Sequence, residues 1–273
     1  MTRIAVFQAC SGIGPAANAA ALVKAITEAA EGGAAMLFTP EMSGLLDSDR
    51  QRAATAVRPE ADDEVLRIVR DSAREQGLWV QLGSLALKGP GDKFVNRAFV
   101  IDAAGEVRAR YDKIHLFDVD LPTGESWRES AVYAGGERAV LVRETPVGAL
   151  GLTICYDVRF PALFERLAEA GAEVIAVPAA FTVPTGKAHW EILLRARAIE
   201  AGLFIVAAAQ GGSHEDGRQT YGHSLVIDPW GEVLLDAGDV NGVHFAEIDA
   251  GRISEVRSRV PALRHRRTIG PVD

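Results

Sequence analysis

The chain has two cysteines, Cys10 and Cys155, and the second stands where a thiol is most useful. The run VGALGLTIC (147–155) is apolar up to the thiol, and Tyr156, Asp157 and Arg159 follow at once. A structural cysteine hides inside such a run, whereas a reactive one sits at its end, beside charge. Two other apparent strand ends carry complementary groups. Glu41 follows Pro40 at the end of AAMLFTPE (34–41), and Lys113 closes EVRARYDK (106–113). Singly, each has a plain reading: a small core residue, a helix N-cap, a solvated edge lysine. Together they are more informative. A cysteine hydrolase needs one group to take the thiol proton and another to hold an oxyanion. None of the six histidines is as well placed for the first task as Glu41.

Other motifs point away from other chemistries. Gly12-Ile13-Gly14-Pro15-Ala16-Ala17 matches G-x-G-x-x-A, but Cys10 and Ser11 separate it from the strand, and the next strand's acidic residue, Glu41, lies too far on for a dinucleotide site. The nearest string to a G-x-S-x-G elbow, Gly222-His223-Ser224-Leu225-Val226, lacks the second glycine. With no HExxH and no CxxC, neither a catalytic nor a structural zinc site is expected. No metal or organic cofactor is implied.

The elements that must position these groups follow from the pattern. The 273 residues are 48% apolar and 24% charged, ordinary for a soluble globular chain with a sizeable core. A net charge of -8 argues against nucleic acid or an anionic membrane as partner. MTRIAVFQAC reads as a first strand, not a signal peptide, and LFIVAAA (203–209) is far short of a membrane span. A reducing cytoplasm fits best. Helices are expected over 16–31, 61–76, 161–170, 187–201 and 250–259. Strands are expected over 3–9, 34–41, 78–87, 94–102, 106–113, 147–155, 173–180, 203–210 and 243–248. A hairpin over 221–238 turns at Asp228-Pro229-Trp230-Gly231, and 118–137 reads as a long surface loop. Helices alternate with strands while hairpins intervene, which predicts an α/β fold with mixed sheets, two of them packed together and helices outside. One domain spans 1–273, with a catalytic core of about 1–250 and a basic tail, 251–273.

FTPEMSGL, YDKIHLFDVDLP and GLTICYDVRFPALFERLAEAGAEVIAVPAAFT resemble the three catalytic blocks of the nitrilase superfamily of carbon–nitrogen hydrolases. The resemblance continues through AHWEILLRARAIEAGLFIVAAAQ and YGHSLVIDPWGEVL to residue 248, and its closest branch is the Nit amidases, which act on deaminated glutathione or ω-amides of 2-oxo acids. It implies a four-layer αββα sandwich, a homodimer or higher homo-oligomer formed through outer helices, and a Glu–Lys–Cys triad that falls on Glu41, Lys113 and Cys155. A second family glutamate falls on Glu129, within Trp127-Arg128-Glu129-Ser130. Phe38-Thr39 departs from the apolar pair commoner before Pro40-Glu41.

The chemistry expected is attack of Cys155 on a small linear amide, with the Tyr156 N–H as a further oxyanion donor. Arg159, four residues after the nucleophile, is the expected carboxylate-binding residue, because related carbamoyl amidases use an arginine at that offset. Its plain alternative is a pair with Asp157 or a helix carboxylate. An N-carbamoyl amidase, a nitrilase, and a non-catalytic interaction protein on the same scaffold are the competing readings. Loop 118–137 and segment 181–188 are the expected determinants of substrate. Cys10 is expected to be buried, Arg195, Arg197 and Glu200 to form an ion-pair network or dimer face, and RHRR (264–267) to be a solvated arm or to cover a partner subunit.

Overall fold

The computed structural model describes residues 1–120, 124 and 126–272. Two six-stranded sheets carry the architecture. The first runs, edge to edge, Gly242–Ile248, Thr2–Gln8, Met36–Phe38, Trp79–Lys88, Phe94–Ile101 and Val107–Asp112. The second runs Val233–Asp236, Leu225–Ile227, Phe204–Ala207, Val174–Ala176, Gly148–Leu152 and Val140–Thr145. Each has parallel pairing at its centre and antiparallel pairing towards its edges.

Side-chain alternation along each strand decides what its two faces meet. In the first sheet Ile4, Val6, Met36 and Phe38 join a core shared with Leu150, Leu152 and Ile175 of the second. Their neighbours Ala5, Leu37, Phe99 and Ile101 face the other way, onto Leu22, Ile26, Val65 and Val69 of helices Pro15–Glu31 and Glu64–Gln76. Helices Pro161–Glu169 and Val183–Ala201 pack Phe164, Leu167, Trp190 and Leu194 onto the second sheet. The order is helices, sheet, sheet, helices, the four-layer αββα sandwich that the resemblance implies. Asp63 caps the helix Glu64–Gln76 by accepting from the Leu66 N–H at 2.8 Å, and Gly77 ends it in the left-handed region that a residue without Cβ enters freely.

Several local expectations change. The loop 118–137 contains two paired strands, Asp118–Asp120 and Ser126–Arg128, and a one-turn helix at Glu129–Ala131; Leu121, Pro122, Thr123 and Glu125 lie outside the described residues. The edge strand Val140–Thr145 and the helix Arg50–Ala56 have no counterpart in the sequence reading. Neither has a fully buried side chain, so neither has a strong apolar period to reveal it. The expected hairpin shortens to Leu225–Ile227 and Val233–Asp236. Gly222 and His223 both take positive φ, and Gln219–Tyr221 pairs with Gly211–Ser213 instead. Cys10, expected to be buried, is exposed. The tail 251–273 begins within the helix Ala250–Arg259 and continues through a short helix, Ala262–His265; Arg266 reaches Glu165 and Glu169, both at 3.2 Å, so RHRR is not a free arm.

Candidate active site

The three groups expected at strand ends converge on one cavity of about 470 Å³, whose wall also holds Glu129 and Tyr156. Each is delivered by a short segment beyond its strand. Glu41 lies three residues past Met36–Phe38. Gly83 lets the neighbouring strand pass there, since a Cβ on it would stand 2.1 Å from the Thr39 carbonyl oxygen. Gln210 holds the turn by donating to the Glu41 carbonyl at 2.9 Å. Lys113 directly follows Val107–Asp112, and its N–H donates to the Asn96 carbonyl at 2.9 Å.

Cys155 comes after the strand proper, which ends at Leu152, and opens the one-turn helix Cys155–Arg159. Its φ is +50°, and its N–H donates to the Pro178 carbonyl at 2.8 Å. A non-glycine residue in that region costs about 1–3 kcal/mol and persists only where its surroundings hold it. The holder is Asp157, which is fully buried. One of its oxygens accepts from the Tyr111 hydroxyl at 2.7 Å and the Ile154 N–H at 2.8 Å. The other accepts from the His115 N–H at 3.1 Å and stands 2.7 Å from His115 Nδ1. Tyr111 and His115 flank Lys113, so Asp157 ties the thiol's turn to the lysine's strand. This use of Asp157 excludes its pairing with Arg159.

The Lys113 ammonium is buried between two carboxylates. Nζ donates to Glu41 Oε1 at 3.0 Å and to Glu129 Oε1 and Oε2 at 3.1 and 2.9 Å. Side-chain exposure is 3% for Lys113, 6% for Glu41 and 13% for Glu129, so water screens little of this attraction. Burial alone would lower the lysine's pKa; the charges of Glu129 and Glu41 outweigh it and hold the ammonium well above the ordinary lysine value. Glu41 Oε1 also accepts from Asn96 Nδ2 at 2.9 Å, and Oε2 from the Ala180 N–H at 2.9 Å. Glu129 Oε2 accepts from the Phe117 N–H at 2.6 Å.

Burial and then the negative charge of Glu41 push the Cys155 thiol well above its usual value, against the opposing pull of Lys113. Both influences favour the neutral thiol. The Tyr156 N–H lies in the first turn of the short helix, where no intrahelical acceptor exists, and it makes no turn or loop hydrogen bond among the described residues.

Arg159 borders this cavity behind two of its rings. Its guanidinium lies over the Tyr156 and Phe181 rings, at 5.9 and 5.6 Å from their centroids, and donates to His189 Nδ1 at 3.2 Å. Among the described residues it meets no carboxylate within ion-pair distance. Residues of both segments expected to determine substrate do line the cavity: Trp127, Glu129 and Tyr133 from 118–137, Phe181 and Thr185 from 181–188. The sequence reading missed Asn96, Tyr111 and the role of Asp157. Tyr111, Lys113 and His115 alternate at i, i+2 and i+4, a pattern that marks a polar strand face, but nothing in one sequence names the partner across the sheets. Arg197 and Glu200 do pair, at 2.9 Å, and Arg197 is buried against the Val158 carbonyl.

Similar proteins place this geometry. A deaminated glutathione amidase of Yersinia enterocolitica is 40% identical over 270 residues, covering 98% of this chain and 93% of that one. The crystal structure of the Caenorhabditis elegans NitFhit protein superposes with a TM-score of 0.90 at 40% identity, covering 97% of this chain; the chain spans only 65% of that one. Saccharomyces cerevisiae Nit3, described as a member of branch 10 of the nitrilase superfamily, superposes at 0.87 with 26% identity, covering 98% of this chain and 97% of that one. The carbon-nitrogen hydrolase family model matches residues 3–258, and the chain belongs to that family within the nitrilase superfamily, as a hydrolase of carbon–nitrogen bonds.

Proposed function

We propose that the chain is a cysteine-dependent amidase acting on a small, carboxylate-bearing linear amide of the deaminated glutathione or 2-oxoglutaramate kind. The observation that carries this is the buried Glu41–Lys113–Glu129 cluster sharing one cavity with Cys155. The similarity to the Yersinia amidase supports the substrate class.

In the proposed cycle the Glu41 carboxylate takes the Sγ proton as sulfur bonds to the amide carbon. The carbonyl electron pair moves onto oxygen, and the Lys113 ammonium and the Tyr156 N–H hold it. One such donor is worth about 3–4 kcal/mol in a water-excluded site. Collapse breaks the C–N bond, and the proton on Glu41 passes to the leaving nitrogen, giving ammonia or an amine. A thioester remains. Glu41 then takes a proton from water, whose oxygen adds to the thioester carbon. The second collapse expels the thiolate, which recovers the proton, and the acid leaves. Glu129 keeps Lys113 charged and in place. No cofactor enters.

The test is turnover of deaminated glutathione, 2-oxoglutaramate, an N-carbamoyl amino acid and a simple nitrile, followed by acid and by ammonia or amine. Turnover of a 2-oxo amide that vanishes in Cys155→Ala is expected. Preference for the carbamoyl compound or the nitrile would move the assignment within the superfamily. Turnover that survives in Cys155→Ala would remove the thiol from the chemistry.

The proposed assembly is a homodimer. Ile199 and Ile192 of the helix Val183–Ala201 are 52% and 70% exposed, and Trp230 of the adjoining turn 53%. Arg195 of that helix donates to the Gly231 carbonyl at 2.9 Å, which brings the turn against the helix. Sedimentation should give twice the 29.1 kDa chain mass, and a monomer at micromolar concentration would reject the proposal. A reducing compartment, the cytoplasm, is proposed with it because only a reduced Cys155 can attack; cell fractionation that finds the protein elsewhere would reject it. Among the described residues no helix is long and apolar enough to cross a membrane.

A further inference from the structure

Glu41 and Glu129 set two negative charges against the one positive charge of Lys113, so an anionic substrate needs a separate cation. Three arginines line the cavity: Arg50, Arg128 and Arg218. Arg128 grips Asp120 through both carboxylate oxygens at 2.9 Å. Arg50 donates to the Arg128 carbonyl at 3.1 Å from an exposed position. Arg218 is different. Its guanidinium lies over the Trp127 indole, 5.0 Å from the ring centroid. Its side chain is only 19% exposed, and a single ion pair, Nη2 to Asp216 at 3.2 Å, fixes one end. Asp216 is already shared, accepting from the Ser48 N–H at 2.8 Å and the Arg218 N–H at 3.0 Å.

Two donors here have no acceptor among the described residues. They are Arg218 Nε and Trp127 Nε1, both buried, on two side chains stacked together in the cavity wall. A buried donor left unpaired costs about 1–3 kcal/mol. Two such donors on stacked side chains of the cavity wall leave hydrogen-bonding capacity that the described residues do not fill. A guanidinium held flat by an indole and an ion pair has little rotamer freedom left to lose, and its remaining N–H groups lie in one plane, which suits a carboxylate.

We infer that Arg218, seated on Trp127, is the carboxylate-binding residue of this cavity and selects anionic amides over neutral ones. This gives Arg218 the task expected of Arg159, whose guanidinium covers the Tyr156 and Phe181 rings at the border of the cavity. The inference rests on the amidase reading of the Cys155 site and names the specificity of that site.

The test separates the two. Binding of 2-oxoglutarate to Cys155→Ala, measured by titration calorimetry, needs no turnover. Adding Arg218→Gln is expected to weaken it about 10- to 100-fold, the range for losing a charged hydrogen bond. Arg218→Lys is expected to restore part of that loss, since a point charge cannot copy the planar fork. Thermal unfolding of each variant shows that it is folded, and the neutral diamide glutaramide should bind independently of residue 218. Undetectable 2-oxoglutarate binding with Arg218 present, or binding that ignores both substitutions, would overturn the inference, as would equal weakening of diacid and diamide. Arg218-dependent binding without turnover of any amide would sink the amidase reading and leave the anion site standing.

Discussion

Replacing Glu41 by glutamine is expected to lower kcat/KM by about 10²- to 10⁴-fold, the usual worth of a positioned general base, while making the Cys155 thiol more acidic. The two effects run in opposite directions because Glu41 acts on the thiol twice. Its charge is the largest influence after burial that keeps the thiol protonated, and its oxygen is the proposed destination of the thiol proton. Glutamine removes the charge and leaves the ammonium of Lys113 to favour the thiolate. It also places an amide NH2 opposite donors, so the hydrogen bond from the Ala180 N–H to Oε2 is lost in one orientation and those from Asn96 and Lys113 to Oε1 in the other. The pH dependence of alkylation by iodoacetamide reads the first effect, and its midpoint should move to lower pH. Amide turnover reads the second. A midpoint that stays still or rises would show that Glu41 does not act electrostatically on the thiol. Turnover that survives would take the base role from it.

How far the sequence discloses this site depends on where each residue gets its signal. Glu41, Lys113 and Cys155 follow apolar strands, and the end of such a strand is visible as a change of pattern. The fold was legible for the same reason: Ile4 and Val6 on one face and Ala5 on the other write a two-sided buried sheet into the first strand. Residues whose role depends on a partner across the two sheets gave no such sign. Asp157 looked like a polar turn residue, yet it accepts from Tyr111 and stands against His115, more than forty positions away. Asn96 sits inside a strand that reads as ordinary, and only the strand order of the first sheet, which sets Phe94–Ile101 two places from Met36–Phe38, brings its amide to Glu41 Oε1. Arg159 drew the carboxylate role through proximity in sequence to the nucleophile. The cavity wall also holds Arg218, 63 positions after Cys155 (218 − 155), brought there by the turn that joins Gly211–Ser213 to Gln219–Tyr221.

Replacing Lys113 by methionine is expected to do the greatest combined damage. Activity should fall by about 10²- to 10³-fold from loss of an oxyanion donor alone. Stability at pH 8 should fall by about 3–5 kcal/mol, because removing one partner of a buried ion cluster leaves the others uncompensated. Here the others are two carboxylates, Glu41 and Glu129, both close to the missing ammonium. The pH dependence identifies this cause. In the parent, the raised pKa of Lys113 gives stability that is fully present below the ordinary lysine value of about 10.4 and is lost only as pH rises through the still higher folded value. Its contribution is therefore constant between pH 5 and 8. In the variant the facing carboxylates relieve their repulsion by keeping a proton that the unfolded chain has released over that window. The folded state then binds more protons, so stability rises as pH falls. Urea midpoints at pH 8 and pH 5 should approach each other's parental difference only when the second charge is also removed: Lys113→Met with Glu129→Gln should regain stability at pH 8 and lose the pH slope, yet remain inactive. A single variant as stable as the parent at pH 8, or a double variant no more stable than the single, would show that the ammonium is not what holds the two carboxylates together. Recovery of stability without recovery of turnover would separate the two tasks proposed for Lys113, neutralising the buried cluster and receiving the oxyanion.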